Sequence, residues 1–395
     1  MIPSLVPEVP LKFVGQIVSG GTPKSEPANW NGELPFITPP DLNGLDGKVV
    51  AEWDRTLTDQ GASESSVVNH AVLLSCRAPI GHIGVASRSV AFNQGCKAII
   101  PERPEDLRYL AYCLIANRKG LEAVGRGTTF TELSTTELAA FRVPWPAQSQ
   151  RMLVADFLDR ETNKVDVMLG RLAELVELLI ARREAIVDRA FSVLLDLPTV
   201  SVQMVADVTV GIVVEPAKLY VDDGGVPALR GLNISPGKIL AEDVVRISHE
   251  GHAANLKSEL RTGDLVTVRT GRVGSTAVVS DEWSGANAID LVITRPQPGI
   301  VPQFMYWLLS SSASRRHIDA VAVGSVQSHF NVGALKRLRV PIVDVCAQQR
   351  IADQLDDATG KVDAMLAKVG DLKSLLLERR TALITDVVTG RKEIA

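Results

Sequence analysis

The chain repeats itself, and this limits its fold more than any other feature. When Val143-Pro144 is laid over Val340-Pro341, an offset of 197 positions, the two stretches read on without a gap. Between 142–185 and 339–382, 19 of 44 positions are identical, including Ala155/Ala352, Asp156/Asp353, Leu158/Leu355, Asp159/Asp356, Thr162/Thr359, Lys164/Lys361 and Asp166/Asp363. A period this long means one structural unit built twice.

Both repeated stretches are expected to be helical. Val165, Leu172, Leu179 and Ile186 recur every seven residues with Met168 and Leu175 between them. The second copy gives Val362, Val369, Leu376 and Leu383 with Met365 and Leu372. Such spacing is the seam of a coiled coil. No proline interrupts 148–194 or 349–388, and good helix formers dominate both. About 45 residues at ~1.5 Å each would extend roughly 65 to 70 Å. A lone helix of that length leaves its apolar stripe uncovered, so each copy is expected to pair with the other, antiparallel. Arg182/Arg379 and Arg183/Arg380 interrupt the stripes at matched places. They are read either as ties between the helices or to another subunit, or as solvated side chains.

Upstream of each helix lies a segment of different texture. Short β-rich runs at 71–75, 84–87, 265–269 and 276–279 alternate with turns, and 107–117 and 302–311 suggest one helix each. The expected class is α+β: two mixed α/β domains at 1–145 and 196–342, each followed by a long helix, at 146–195 and 343–395. These globes repeat more loosely, with Ile83-Gly84 matching Val273-Gly274 and 127–138 matching 324–335.

Composition excludes other classes. Hydrophobic residues at 46% and charged residues at 22% suit an ordinary folded chain rather than a disordered one. Cys76, Cys96, Cys113 and Cys346 form no CxxC pair, which argues against a disulfide scaffold or a local zinc knuckle. No leader-like start and no long apolar stretch is present, so the expectation is a cytoplasmic protein with no membrane partner. His249 and His252 are the only closely spaced histidines and are read as an exposed loop, so no metal is expected. A net charge of −4 argues against a chain basic throughout. Residues 1–142 carry 13 Lys/Arg against 15 Asp/Glu, and 196–342 carry 14 of each. Nucleic-acid binding would therefore have to be focused, for example at Arg118, Lys119 and Arg126, or at Arg315, Arg316, Lys336, Arg337 and Arg339.

The ordered motifs around this repeat carry a family resemblance. Copy one holds Phe141-Arg142-Val143-Pro144, then 151–159 and Lys164-Val165-Asp166. Copy two holds Leu338-Arg339-Val340-Pro341, 348–352, Leu355-Asp356, Lys361-Val362-Asp363, then 378–384 and Val387-Val388-Thr389-Gly390. A softer match opens the chain, with Gly20-Gly21-Thr22-Pro23, Trp30-Asn31-Gly32 and 35–42. Over nearly its whole length the chain resembles the specificity subunit of type I restriction–modification systems. The resemblance implies two target-recognition domains, each reading half of a split, asymmetric site on double-stranded DNA. It further implies helices that carry two copies of a modification methyltransferase subunit, with S-adenosylmethionine held by that partner and not by this chain. Restriction and translocase subunits are further implied partners. Antiparallel helices would set the heads apart along a duplex whose turns repeat every ~34 to 36 Å, with helix register as the ruler. The copies depart from each other at Arg151-Met152-Leu153-Val154 against Gln348-Gln349-Arg350-Ile351, and where Gly211-Ile212-Val213-Val214 replaces 20–23.

No catalytic frame is legible, neither a Gly-rich strand-to-helix loop nor an Asn-Pro-Pro-Tyr string; Thr38-Pro39-Pro40-Asp41 reads as a rigid corner. Readout needs side chains that reach base edges or phosphates. The candidates are Thr22, Lys24, Arg77, Arg126, Thr128 and Thr129 in the first globe. In the second they are Arg230, Asn233, Arg269, Arg272, Ser325, Gln327 and His329. For Arg77 and Arg269 structural hydrogen bonding is the competing reading, and for the glycines beside Thr128 and Ser325 it is simple turn formation. Two other functions stay open on the residues alone, a coiled-coil scaffold without DNA contact and a stand-alone DNA methyltransferase. Target bases and spacer length are not legible.

Overall fold

The computed structural model describes residues 6–125, 132–320, 330 and 332–394. The chain divides into two compact units, 1–172 with 370–395, and 173–369, so the division falls inside both long helices.

In the first unit an antiparallel sheet runs Gly15–Ser19, Cys96–Pro101, Ala71–Ser75, Ile83–Ala86. Ala71–Ser75 is buried along its length, as its unbroken apolar run requires of a central strand. A second sheet runs Arg55–Leu57, Trp30–Ile37, Val90–Phe92, Ser66–Val68, with its middle pair parallel. The second unit repeats this plan. Its first sheet is Ala206–Val210, Leu291–Pro296, Leu265–Val268, Thr276–Val278, and its second is Tyr220–Val221, Val245–Ile247, Val226–Leu229, Asn287–Ala288, where the last pair is again parallel.

The repeated Arg-Val-Pro string closes each globe. Arg142–Pro144 pairs with Glu8–Pro10, and Arg339–Pro341 with Thr199–Ser201. Both valines are buried, and both arginines reach across the pairing: Arg142 donates to the Glu8 carbonyl at 2.6 Å and Arg339 to the Thr199 carbonyl at 2.9 Å.

The long helices are Gln148–Ser192 and Val345–Val388. In the first unit Val154, Ala155 and Leu158 share a core with Ile384, Val387 and Val388, and further along Asp166 lies 3.7 Å from Arg380. One helix advances as the other retreats, so they pair antiparallel. In the second unit Val187 and Phe191 share a core with Ala352 and Leu355, and Arg183 meets Asp363 at 2.9 Å, again antiparallel. Asp166 and Asp363 are repeat mates, as are Arg183 and Arg380, so one ion pair is made twice with the roles exchanged between helices. Arg182 and Arg379 stand exposed.

One stripe of the expected seam needs correction. Val165, Leu179, Val362, Val369 and Leu376 are buried, and Leu172, Ile186 and Leu383 half-buried. Met168, Leu175, Met365 and Leu372 instead remain 40–50% exposed. Their neighbours Leu169, Val176 and Leu366 turn inward, in line with the buried Thr162 and Thr359 and with Arg183 and Arg380. The true spacing alternates four and three from Val165, not three and four, and both readings keep a helix's apolar face.

Candidate nucleic-acid interface

The heads are seated by matching side chains. In the first unit Tyr112 donates to Asp159 at 2.7 Å, and Arg108 reaches both Asp159 and Asp156, the latter at 2.9 Å. In the second unit Trp307 donates its indole N–H to Asp356 at 2.8 Å, and Gln303 its amide at 2.7 Å. Each donor pair is four residues apart on one helix, Leu107–Ala116 or Pro302–Ser310, so both side chains fall on the face turned to the repeated aspartate. The hydrogen bond that Arg108 donates to Asp159 raises its guanidinium above its ordinary value, and burial raises the Tyr112 phenol.

The first turn of each long helix is fixed differently. Arg151 is buried against Asp106, with Nε and Nη2 on the two carboxylate oxygens at 2.7 and 2.8 Å and Nη1 on the Pro146 carbonyl at 2.6 Å. Its repeat mate Gln348 is also buried and makes a neutral version. Its Oε1 accepts from Val301 N–H at 2.8 Å, and its Nε2 donates to the Gly299 and Val343 carbonyls at 3.0 and 2.8 Å. The sequence departure at this position is therefore one anchor built with two chemistries.

Above each first sheet a glycine permits the chain to turn. Gly20 N–H donates to the Cys96 carbonyl and Gly21 N–H to that of Phe92; Gly211 donates to Leu291 and Ile212 to Ala288. A Cβ on Gly20 would lie 1.9 Å from the Asn93 carbonyl oxygen, and one on Gly211 2.3 Å from that of Ala288, so only glycine fits either place. Beyond them the loops part. Thr22 is exposed and donates to Gln94; the Lys24 side chain is exposed while its backbone is held by Glu64, Asn29 and Trp30. In the second globe Val213 and Val214 occupy this stretch, Val214 81% exposed.

The strand ends organise the other candidates. Arg77 pairs with Glu132 at 3.2 Å, and Leu133 N–H returns to the Cys76 carbonyl at 2.9 Å. Phe330 N–H returns to the Arg269 carbonyl at 3.0 Å, so Arg269 matches Cys76 in position rather than Arg77. Arg269 and Thr270 both bind the carboxylate of Asp290, at 3.2 and 2.6 Å, where Asp290 adopts a left-handed φ of 49°. Arg272 is exposed on the following turn. Asn233 is fully buried: its Oδ1 caps Arg230 N–H at 2.9 Å and its Nδ2 donates to the Glu242 carbonyl at 2.8 Å. Thr38 and Asp41 make the same turn in the first globe, with Asp41 accepting from Thr38 N–H at 2.7 Å. Arg230 donates to the Asp243 carbonyl at 2.7 Å.

Arg126, Thr128, Thr129, Ser325, Gln327 and His329 lie outside the described residues. Of the basic clusters, Arg118 pairs with Asp46 and Arg315 lies 3.6 Å from Glu184, while Arg339 serves the strand closure described above. His252 bonds the Asn287 amide oxygen at 2.7 Å. Among the described residues no group of three or more His, Cys, Asp or Glu is arranged to hold a metal ion, and no helix is long and apolar enough to cross a membrane. The seat residues Asp106, Arg108, Tyr112, Gln303 and Trp307 were missed by sequence reasoning. For the last four the signal was the repeated Asp159/Asp356, which a solvent-facing role would not require.

Two unlike globes are thus seated by equivalent contacts on a paired, repeated helix. Residues 3–177 match the family model described as the type I restriction modification DNA specificity domain. It is 29% identical over 154 residues to the type I restriction enzyme MjaIX specificity subunit of Methanocaldococcus jannaschii, a match covering 38% of this chain and 36% of that one. It is 21% identical over 318 residues to the EcoBI specificity subunit of Escherichia coli, covering 72% and 67%. The chain thus spans only about a third of the length of the first of these relatives. A chain from a solved type I R-M system, in work on complex assembly and conformational transition, matches 99% of this chain and 100% of its own with a TM-score of 0.66 and 16% identity. That likeness establishes the shared fold.

Proposed function

We propose that this chain reads DNA sequence for a type I restriction–modification complex in the cytoplasm, each globe recognising one half of a split asymmetric target. The observation that carries this reading is the equivalent seating of two dissimilar heads, Asp159 with Arg108 and Tyr112, Asp356 with Gln303 and Trp307. Equivalent mounting with divergent loops suits a device that offers two different faces to one duplex. Lys24, Arg272 and the exposed Thr22 are the side chains best disposed to reach DNA, with Arg77 and Arg269 at the adjacent strand ends; Arg126, Thr128, Thr129, Ser325, Gln327 and His329 complete the proposed set. Asn233 and Arg230 shape the loop that presents their neighbours.

Two modification subunits would bind the helices and bring S-adenosylmethionine for adenine methylation, with restriction subunits added to that core. The test is base-resolution mapping of methylated sites after treatment with the assembled complex, alongside complexes in which one globe is exchanged. Exchange of the first globe is expected to alter one half-site and leave the other. Alteration of both halves, or methyl transfer by the isolated chain, would overturn the division of roles.

A further inference from the structure

We propose that Lys97 forms an anion site at the end of the first globe's sheet, filled by a phosphate of the DNA backbone; this rests on the DNA-reading function above. Lys97 lies directly opposite Ser19 on one neighbouring strand and Leu74 on the other. It is only 5% exposed, yet among the described residues its ammonium has neither an ion pair nor a hydrogen-bond acceptor. Its stem is packed away while its ammonium, which is not among the fully buried unpartnered atoms, keeps an opening to solvent through which a counter-charge can reach it.

The surroundings are those of an anion site. Residues directly opposite on antiparallel strands point to the same face, so the Ser19 hydroxyl lies on the Lys97 side, bonded at 2.9 Å to the Thr135 hydroxyl. Lys97, Glu132 and Arg77 all act on the Cys76 thiol, which burial pushes up to about 12. Glu132 is matched by Arg77, leaving the Lys97 charge uncompensated. One spare positive charge beside two hydroxyls suits a singly charged phosphodiester. The place is also apt: Cys96, the preceding residue, accepts from Gly20 N–H where the Thr22–Lys24 loop departs. In the second globe Val292 stands at the matching register, opposite Val210 and Thr267, so this contact belongs to one head alone.

The experiment measures binding of the assembled complex to a duplex carrying its methylation site and to a scrambled duplex, across salt concentrations. Lys97→Met should reduce the slope of log affinity against log salt by about 0.9 on both duplexes, as loss of one phosphate contact does, with the methylated motif unchanged. Lys97→Arg should retain the slope. If Lys97→Met does not fold, as judged by its melting curve, Lys97→Gln carries the same comparison. An unchanged slope in a folded variant overturns the proposal. So does stabilisation of the wild type, but not the variant, by inorganic phosphate with the slope unaltered, which would mark a free-anion site. A wild-type complex that cannot tell its site from the scrambled duplex would instead overturn the reading function itself.

Discussion

Gly20 and Gly211 permit the same thing at matching places, main chain passing against main chain where any Cβ would collide. Alanine at either position is expected to cost about 1–3 kcal/mol, as overpacking against an unyielding neighbour does, and to lower the melting temperature accordingly. Gly21→Ala is the control: its Cβ would meet nothing nearer than 3.7 Å, so an equal loss there would refute the argument. The cysteines give a second check at this scale. Cys76, Cys96 and Cys113 are buried, and burial holds their thiols well above the ordinary range, while Cys346 is exposed. A thiol reagent at neutral pH should titrate one group in the native protein and four after denaturation. Single side chains are also where the sequence was least informative. Asn233 has the chemistry to read adenine, but the same amide closes a turn, and only its burial separates the two uses. Lys97 sits in an otherwise apolar strand, and nothing in its neighbours' identities reveals that it lacks a partner.

Among elements, the first turns of the two long helices invite direct comparison. Asp106→Ala would strand the Arg151 guanidinium in a buried place and is expected to cost about 3–5 kcal/mol. Gln348→Ala loses neutral hydrogen bonds and leaves backbone groups unpaired, a cost of about 1–3 kcal/mol. Urea unfolding of both variants decides the matter, and an equal or reversed order would show that the charged anchor is no stronger than the neutral one. The helices themselves were plain in the sequence, since period and composition agree over more than forty residues. The seam was half legible. Met168-Leu169, Leu175-Val176 and Met365-Leu366 are adjacent apolar pairs, so hydrophobicity cannot choose between them. At Leu372-Lys373 it favours the side that stays partly exposed.

For the whole molecule, the repeat disclosed two copies of one plan but not the strand order, because the pairing strands lie in the stretches that diverge most. Phe36 opposite Ala91 and Ala228 opposite Asn287 are the same parallel contact, yet the residues share no character. The division into two compact units leads to a calorimetric expectation. Asp106→Ala should move one unfolding transition and Gln348→Ala the other, whereas a joint shift in both variants would mean that the units melt as one.

The unlike anchors at positions 151 and 348 also govern how such chains can exchange parts. A recombination junction at the end of the first globe, near residue 145, would deliver a foreign head to Arg151 without its Asp106. An incoming Asp106 set before Gln348 would find no guanidinium. Viable crossovers should therefore fall inside the helix, beyond its first turn, so that each head is inherited together with the residue that receives it.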